Sequence, residues 1–256
     1  MSRGKPSVSA ALLVIGDEIL SGRTQDKNIF FLANHLTSIG INLREVRVVP
    51  DVEANIVEAV NALRFTHDYL FTTGGIGPTH DDITAQSLAR AFDVPLVEHE
   101  GALALMEKRY GAQGLTPARR LMARVPQGGE LVGDPETSSP GFMIENVFML
   151  AGVPAICRAM VHTLTPHLRT GERILSRSLT AKCKESEIAA LLSHHQDHAK
   201  SISIGSYPYF RNGEYGVNIV LRGTDESRLQ TELDELARDL QAQGAEMVFP
   251  DDSAKD

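Results

Sequence analysis

The chain has 256 residues, of which 42% are hydrophobic and 23% charged, a composition typical of a soluble globular protein. Its 25 basic and 33 acidic residues give a net charge of −8, which argues against nucleic-acid binding because such surfaces are usually basic. Two cysteines, Cys157 and Cys183, form no CxxC motif, so we expect a reducing, cytoplasmic compartment. No apolar run approaches the roughly 20 residues that span a membrane, and we expect no membrane partner.

Strands and helices alternate along the first 168 residues. The continuous apolar run from Ala11 to Ile15 predicts a strand buried on both faces. Further strands are predicted at 41–49, 69–72 and 147–150, with helical stripes at 29–40, 56–63, 82–92, 102–110 and 154–168. This alternation predicts an α/β fold of three layers, α/β/α, around a mostly parallel sheet.

The order of elements changes near residue 170. Strands at 173–179, 201–207, 216–221 and 246–249 and helices at 185–195 and 226–241 give the order βαββαβ. That order is typical of a ferredoxin-like α+β domain. We therefore predict a domain over 1–170, a small domain over 171–250 and a frayed tail over 251–256.

A glycine-rich segment follows the third strand and precedes a helix. Its glycines let the backbone approach a ligand, and N–H groups at a helix start favour a phosphate. The alternative is an ordinary strand-to-helix turn capped by an aspartate. The candidate ligand-binding residues are Thr73, Gly74, Gly75, Gly77, Pro78 and Thr79.

Acidic residues follow the predicted parallel strands, at the sheet edge where open α/β sheets bind ligands. Carboxylates beside a phosphate would repel it unless a cation intervened, and Mg²⁺ combines one or two carboxylates with phosphate oxygens. Alternatively, the later acids are helix N-caps. The acids in question are Asp17, Glu18, Asp26, Asp51, Asp81 and Asp82.

Two weaker patterns occur in other parts of the chain. His194 and His198 form an i, i+4 pair around His195, which could ligate zinc, although a solvated helix end is the simpler interpretation. Ser139, Pro140 and Gly141 form a loop that offers no nucleophile elbow, and we interpret them as ligand-facing residues at most.

Two longer motifs suggest a family. The segment from Gly16 to Leu20, with Gly22, Asp26 and Asn28 after it, and the segment from Thr73 to Thr84 closely resemble the MoaB/Mog (molybdopterin-binding-like) superfamily. The resemblance covers about residues 8–168. Within the superfamily the chain is most similar to the N-terminal domain of the CinA (competence/damage-inducible) proteins, and to the domain that precedes the synthase domain in eukaryotic FAD synthases. We expect a stand-alone branch.

The resemblance implies two functions from different classes. CinA members resemble metal-dependent pyrophosphatases that split ADP-ribose, whereas Mog members bind molybdopterin. The first implies Asp17, Glu18 and Asp82 as catalytic residues and Mg²⁺ or another divalent cation at Asp17, Asp26, Asp81 and Asp82. The ligand, a nucleotide or a pterin, would contact the glycine-rich segment together with Asp51, Ser139, Pro140 and Gly141. Family members commonly oligomerise, and we expect a homodimer.

The sequence also departs from the CinA pattern. Arg119 to Ala123 lacks a Lys and a Gln that are usual in CinA relatives, and Ser139 replaces an Ala. After Val153-Pro154 the usual Glu is absent.

Overall fold

The computed structural model describes residues 7–132, 140–211 and 213–248 of the protein. The chain divides into two compact units between Glu172 and Arg173. None of the helices in the described ranges combines the length and apolarity needed to cross a membrane.

The first unit is built on a mostly parallel sheet. Its strands are β1 (Val8–Ile15), β2 (Ile41–Val49), β3 (Tyr69–Thr73), β4 (Leu96–Glu98), β5 (Arg124–Pro126), β6 (Glu130–Val132), β7 (Gly141–Ile144) and β8 (Val147–Leu150). In the described residues the main sheet has the order β2-β1-β3-β8-β7-β6. The pairs among β2, β1, β3 and β8 are parallel, whereas β8, β7 and β6 pair antiparallel at one edge. The predicted parallel sheet is confirmed.

Helices cover both faces of this sheet. They are α1 (Asp17–Leu20), α2 (Asn28–Ser38), α3 (Glu53–Arg64), α4 (Thr84–Ala91), α5 (Glu100–Tyr110), α6 (Pro117–Leu121) and α7 (Pro154–Leu164), with short 3₁₀ turns at Ala112–Gly114 and Thr165–His167. Side chains alternate across a strand, so Leu13 of β1 packs in one core with α3 and α4, while Leu12 packs in the other with α2 and α7. The sheet lies between the two cores, with helices outside each of them, which gives the three predicted layers.

Several element boundaries differ from those that the sequence predicts. Helix α4 begins at Thr84 rather than at residue 82, because the preceding residues form a hydrogen-bonded loop. Helix α7 ends at Leu164, and Pro166, which has no N–H to donate, lies in the 3₁₀ turn that follows. The irregular stretch over 95–142 contains the ribbon of β4 and β5 together with β6, whose three-residue strands are too short for a periodic pattern.

The second unit has the predicted βαββαβ order. Its elements are β9 (Leu175–Lys182), α8 (Glu185–His198), β10 (Ser203–Arg211), β11 (Glu214–Gly223), α9 (Glu226–Ala242) and β12 (Glu246–Val248). All described pairs are antiparallel, in the order β10-β11-β9-β12, and the core includes Leu229, Leu236 and Leu240 of α9.

His195 of α8 lies in the interior of the second unit and is only 6% exposed. Its Nδ1 is 2.7 Å from Glu232 Oε1 and its Nε2 is 3.0 Å from Asp239 Oδ2, so it joins α8 to α9. The solvated helix end favoured by the sequence is therefore wrong for His195, because the helical pattern does not show which side the neighbouring helix covers. His194 and His198, by contrast, are exposed.

Candidate functional site

The candidate site lies at the carboxyl edge of β1, β2 and β3, where each parallel strand leads into a polar loop. The Gly16 N–H donates to the Val49 carbonyl over 3.1 Å, which holds the ends of β1 and β2 together. One residue further on, the Asp17 N–H donates to Asp51 Oδ2 over 2.9 Å. The acids that follow β1 and β2 thus lie side by side.

The glycine-rich loop after β3 needs glycine for two different reasons. Gly74 and Gly75 have φ values of 98° and 63°, a region that residues with a Cβ rarely adopt. A Cβ on Gly74 would also collide with the Ile15 carbonyl oxygen, and one on Gly75 would collide with Thr84 Oγ1. The loop therefore lies tightly between the end of β1 and the start of α4.

Thr84 ties this loop to the first turn of α4. Its Oγ1 donates to the Gly74 carbonyl over 2.9 Å, and its N–H donates to the Gly75 carbonyl over 3.1 Å. Thr84 itself has no exposed surface. The two hydrogen bonds fix the path of the loop relative to the helix.

Asp81 and Asp82 share a single hydroxyl group. Thr79 Oγ1 lies 2.6 Å from Asp81 Oδ1 and 2.5 Å from Asp82 Oδ2, and the Thr79 N–H donates to the same Asp82 oxygen over 2.8 Å. A hydroxyl has only one proton, so it can donate to only one of the two carboxylates at a time. Hydrogen bonding, chiefly from Thr79, lowers the pKa of Asp81. The pair is a suitable ligand set for a divalent cation.

Asp51 lies among other carboxylates. Burial raises its pKa, and the charges of Asp17, Glu18 and Asp81 raise it further, opposed by the hydrogen bond from the Asp17 N–H. These influences show that acids from three different loops are near enough to act on one another. Neither Asp51 nor Asp82 caps a helix by a side-chain hydrogen bond, so the N-cap alternative is wrong for both.

A small pocket of about 80 Å³ opens between the glycine-rich loop and the start of α2. Thr73 and Asn28 line it and are 1% and 2% exposed. Thr73 Oγ1 and Asn28 Oδ1 have no hydrogen-bond partner, although the Asn28 amide donates to the Gly152 carbonyl over 2.8 Å. Buried polar atoms normally have partners, so these two atoms are suited to contact a polar ligand.

The remaining wall of this pocket contains charged residues of both signs. Asp26 Oδ1 accepts the Ile29 N–H over 2.7 Å at the start of α2, which leaves its other oxygen available to the pocket. Glu18 and Lys27 also line the wall. The sequence prediction missed Lys27, Gly152 and Asn28 as site residues, although Asn28 stood within the first motif.

Other predicted residues lie away from this pocket. Pro78 and Thr79 are exposed and, like Gly77, are not part of its wall. Gly141 is a buried residue of β7 that pairs with Val132, and a Cβ there would lie 2.9 Å from the Val132 carbonyl oxygen. Its small size therefore serves the sheet. Pro140 is buried beside it, and Ser139 lies outside the described residues.

The residues that the sequence predicts as metal ligands do not form one cluster in the described part of the chain. They are Asp17, Asp26, Asp81 and Asp82. Asp81 and Asp82 are brought together by Thr79, while Asp26 lines the pocket and accepts the Ile29 N–H at the start of α2. Within the described ranges, no three His, Cys, Asp or Glu side chains are close enough to hold a metal by themselves. Mg²⁺ usually keeps several waters and uses one or two carboxylates, and the Asp81–Asp82 pair meets that requirement.

Both units of the chain match known families. Residues 11–170 match the family described as "Probable molybdopterin binding domain". Residues 173–248 match the family described as "FAD synthase, middle domain". These two matches meet at the division between the units.

Individual proteins that are similar to this chain include a CinA-like protein and a probable FAD synthase. A CinA-like protein from Gloeobacter violaceus is 33% identical over 224 residues, which are 84% of this chain and 53% of that protein. A probable FAD synthase from Caenorhabditis elegans is 31% identical over 230 residues, 80% of this chain and 44% of that protein. The chain therefore spans about half the length of these two relatives. A crystal structure of a CinA protein with unknown function from Thermoplasma acidophilum is 33% identical, covers 63% of this chain and 98% of that one, and superimposes with a TM-score of 0.59.

Proposed function

Because the chain belongs to the family of the probable molybdopterin binding domain, and its relatives include CinA-like and FAD synthase proteins, we propose that it is a metal-dependent hydrolase of nucleotide diphosphates. The substrate class is that of ADP-ribose or FAD. The observation that carries the proposal is the presence, at one sheet edge, of a buried unpartnered Thr73 hydroxyl beside a glycine loop and of carboxylates from three loops.

The pocket residues would hold the diphosphate. The Thr73 hydroxyl donates to a phosphate oxygen, and this bond satisfies an atom that has no partner in the protein. The Lys27 ammonium offsets phosphate charge, and Asn28 Oδ1 accepts a hydroxyl of the attached sugar. The diphosphate is thus recognised by one donor and one cation, and the attached sugar by one acceptor.

Some of the carboxylates would hold the metal, and others would activate the attacking water. Asp81 and Asp82 would hold Mg²⁺, which when bound neutralises phosphoryl charge and lowers the pKa of a water. Asp17, Glu18 and Asp51 orient the attacking water, and one of them takes its proton. The water oxygen bonds to phosphorus as the bridging P–O bond breaks, which yields AMP and the second monophosphate.

Incubation with ADP-ribose or FAD and Mg²⁺ or Co²⁺, followed by a chromatographic search for AMP, tests the proposal. We expect AMP from the wild-type chain and a large loss with Asp82→Asn. The matched control is Asp197→Asn, which removes an exposed carboxylate of the second unit. Ligand binding without any AMP at saturating substrate contradicts hydrolysis.

The family description supports a second candidate, a molybdopterin-binding protein that does not hydrolyse its ligand. The small pocket with its two unpartnered polar atoms also suits the phosphate and hydroxyl groups of a pterin cofactor. Tight molybdopterin binding, with no product from either nucleotide, favours this candidate. The expected homodimer stays a prediction for either function, and sedimentation equilibrium tests it.

A further inference from the structure

A second, larger cavity adjoins the polar pocket. It has a volume of about 860 Å³, within the range of small-molecule sites, and lies along α2 beside α7. The two cavities share Gln25, Asp26 and Lys27 in their walls. The two cavities therefore border one another at these three residues.

The wall of the groove is unusually aromatic for an exposed surface. Phe30, on the solvent-facing side of α2 together with the exposed Asn34, is 77% exposed. Beside it, Phe31 stacks on His35 with ring centroids 5.7 Å apart, and His35 meets His162 edge to face at 5.3 Å. Phe30 therefore presents an exposed aromatic ring beside a packed aromatic cluster, and a planar ring can stack on such a side chain.

Two basic side chains, Lys27 and Arg158, lie beside the aromatic wall of the groove. Burial, together with the nearby His162, lowers the pKa of His35, so its ring is a neutral aromatic surface near neutral pH. The Arg158 guanidinium lies 6.0 Å from the centre of the Phe31 ring, and Lys27 lies where the groove meets the polar pocket. Cations thus border the aromatic part of the groove, and the Asp26 carboxylate lies in the wall shared with the polar pocket.

We propose that this groove binds the planar heteroaromatic ring of the ligand, stacked on Phe30, while the phosphates of the same ligand enter the pocket at Thr73. The inference rests on the proposed function, because it takes the ligand to be a nucleotide-type diphosphate. Continuity with the polar pocket favours such a ring over a second copy of the chain, since the shared wall of Gln25, Asp26 and Lys27 leads from stacking surface to phosphate site.

Calorimetric titration in Mg²⁺ with a ring-bearing and a ringless diphosphate, ADP-ribose and inorganic pyrophosphate, tests the inference. Phe30→Ala should weaken ADP-ribose binding by about five- to 150-fold, the range for a base stacked on an aromatic side chain. Pyrophosphate binding should not change, and Phe30→Tyr should restore ADP-ribose binding. Phe65→Ala is the matched control, because Phe65 is equally exposed, at 74%, but follows α3 on the other face of the sheet.

Several outcomes overturn the inference. ADP-ribose affinity that Phe30→Ala leaves unchanged, or that falls together with pyrophosphate affinity, removes the stacking role. Loss of self-association in Phe30→Ala with ADP-ribose affinity unaltered assigns the groove to a second copy of the chain.

The inference and the proposed function fail in different ways. ADP-ribose that binds through Phe30 without release of AMP contradicts hydrolysis and supports the groove. Release of AMP with a KM that Phe30→Ala does not alter supports hydrolysis and overturns the groove.

Discussion

The backbone N–H of Asp17 donates to the Asp51 carboxylate over 2.9 Å, and this single bond joins the loops that follow β1 and β2. It holds the Asp51 carboxylate, whose pKa is raised by burial and by the charges of Asp17, Glu18 and Asp81, beside the end of β1. The Asp51 carboxyl therefore holds its proton more tightly than an isolated aspartate does.

Thr73 offers a test that separates ligand binding from stability. Its hydroxyl is buried without a partner, so Thr73→Val should raise the free energy of unfolding by about 1 kcal/mol. If the hydroxyl contacts phosphate, the same variant should lose diphosphate affinity. Ser87→Ala is the matched control, because Ser87 Oγ is also buried and unpartnered but does not line the pocket. Denaturant unfolding and calorimetry measure the two effects, and equal ligand affinity in both variants would show that Thr73 is structural.

Gly77 is predicted to act through Asp82. A Cβ at position 77 would lie 2.5 Å from Asp82 Oδ2, so Gly77→Ala should displace this carboxylate from Thr79. We expect loss of metal-dependent diphosphate binding with a stability cost of about 1 kcal/mol. Gly205→Ala is the control, since its Cβ would meet only the Tyr207 ring, at 3.3 Å. Unaltered binding in a folded Gly77→Ala chain contradicts the role of the loop.

Metal dependence follows from comparing two charge effects. The N-terminus of a helix favours an anion by roughly 0.3–1 kcal/mol, whereas two like charges 4 Å apart at a dielectric of 20 repel by about 4 kcal/mol. Diphosphate should therefore bind weakly in EDTA and tightly with Mg²⁺, Mn²⁺ or Co²⁺.

Asp82→Asn keeps an acceptor for the Thr79 N–H but removes one charge, and should reduce the metal-dependent gain by about tenfold or more. Calorimetry with and without metal measures this gain. Equal affinities in EDTA and Mg²⁺ would mean that these acids do not hold a cation.

Asp51 makes stability depend on pH in a direction opposite to that of most aspartates. Because its pKa is raised in the folded state, the folded chain holds this proton more tightly than the unfolded chain does. The associated stability is present below the ordinary Asp pKa of about 3.9 and is lost as pH rises through the higher folded value.

Asp51→Asn, whose side-chain oxygen can still accept the Asp17 N–H, should be more stable than wild type above that range and similar to it in acid. Denaturant titrations across the acid range measure this difference. A variant less stable than wild type at neutral pH would show that the ionised carboxylate is favourable there.

The sequence by itself determined the layers of the first unit and the order of elements in the second. Apolar runs such as Ala11 to Ile15 and the leucines of α9 suffice for this, because burial on two faces or on one stripe leaves a period in the sequence. The sequence also showed that acids and glycines follow the parallel strands. Because the carboxyl ends of such strands meet at one edge of the sheet, these residues were expected to lie there together.

Only the tertiary structure decided which of these residues work together. Gly152 lines the pocket together with Lys27 and Asn28 although it lies 124 residues beyond Asn28, and no local pattern encodes the turn that brings Gly152 to Asn28. Gly141 looked like a ligand residue, yet strand packing explains its size. The exposure of Phe30 and the burial of His195 depend on which neighbouring element covers each side of a helix, and a helical period alone does not contain that information.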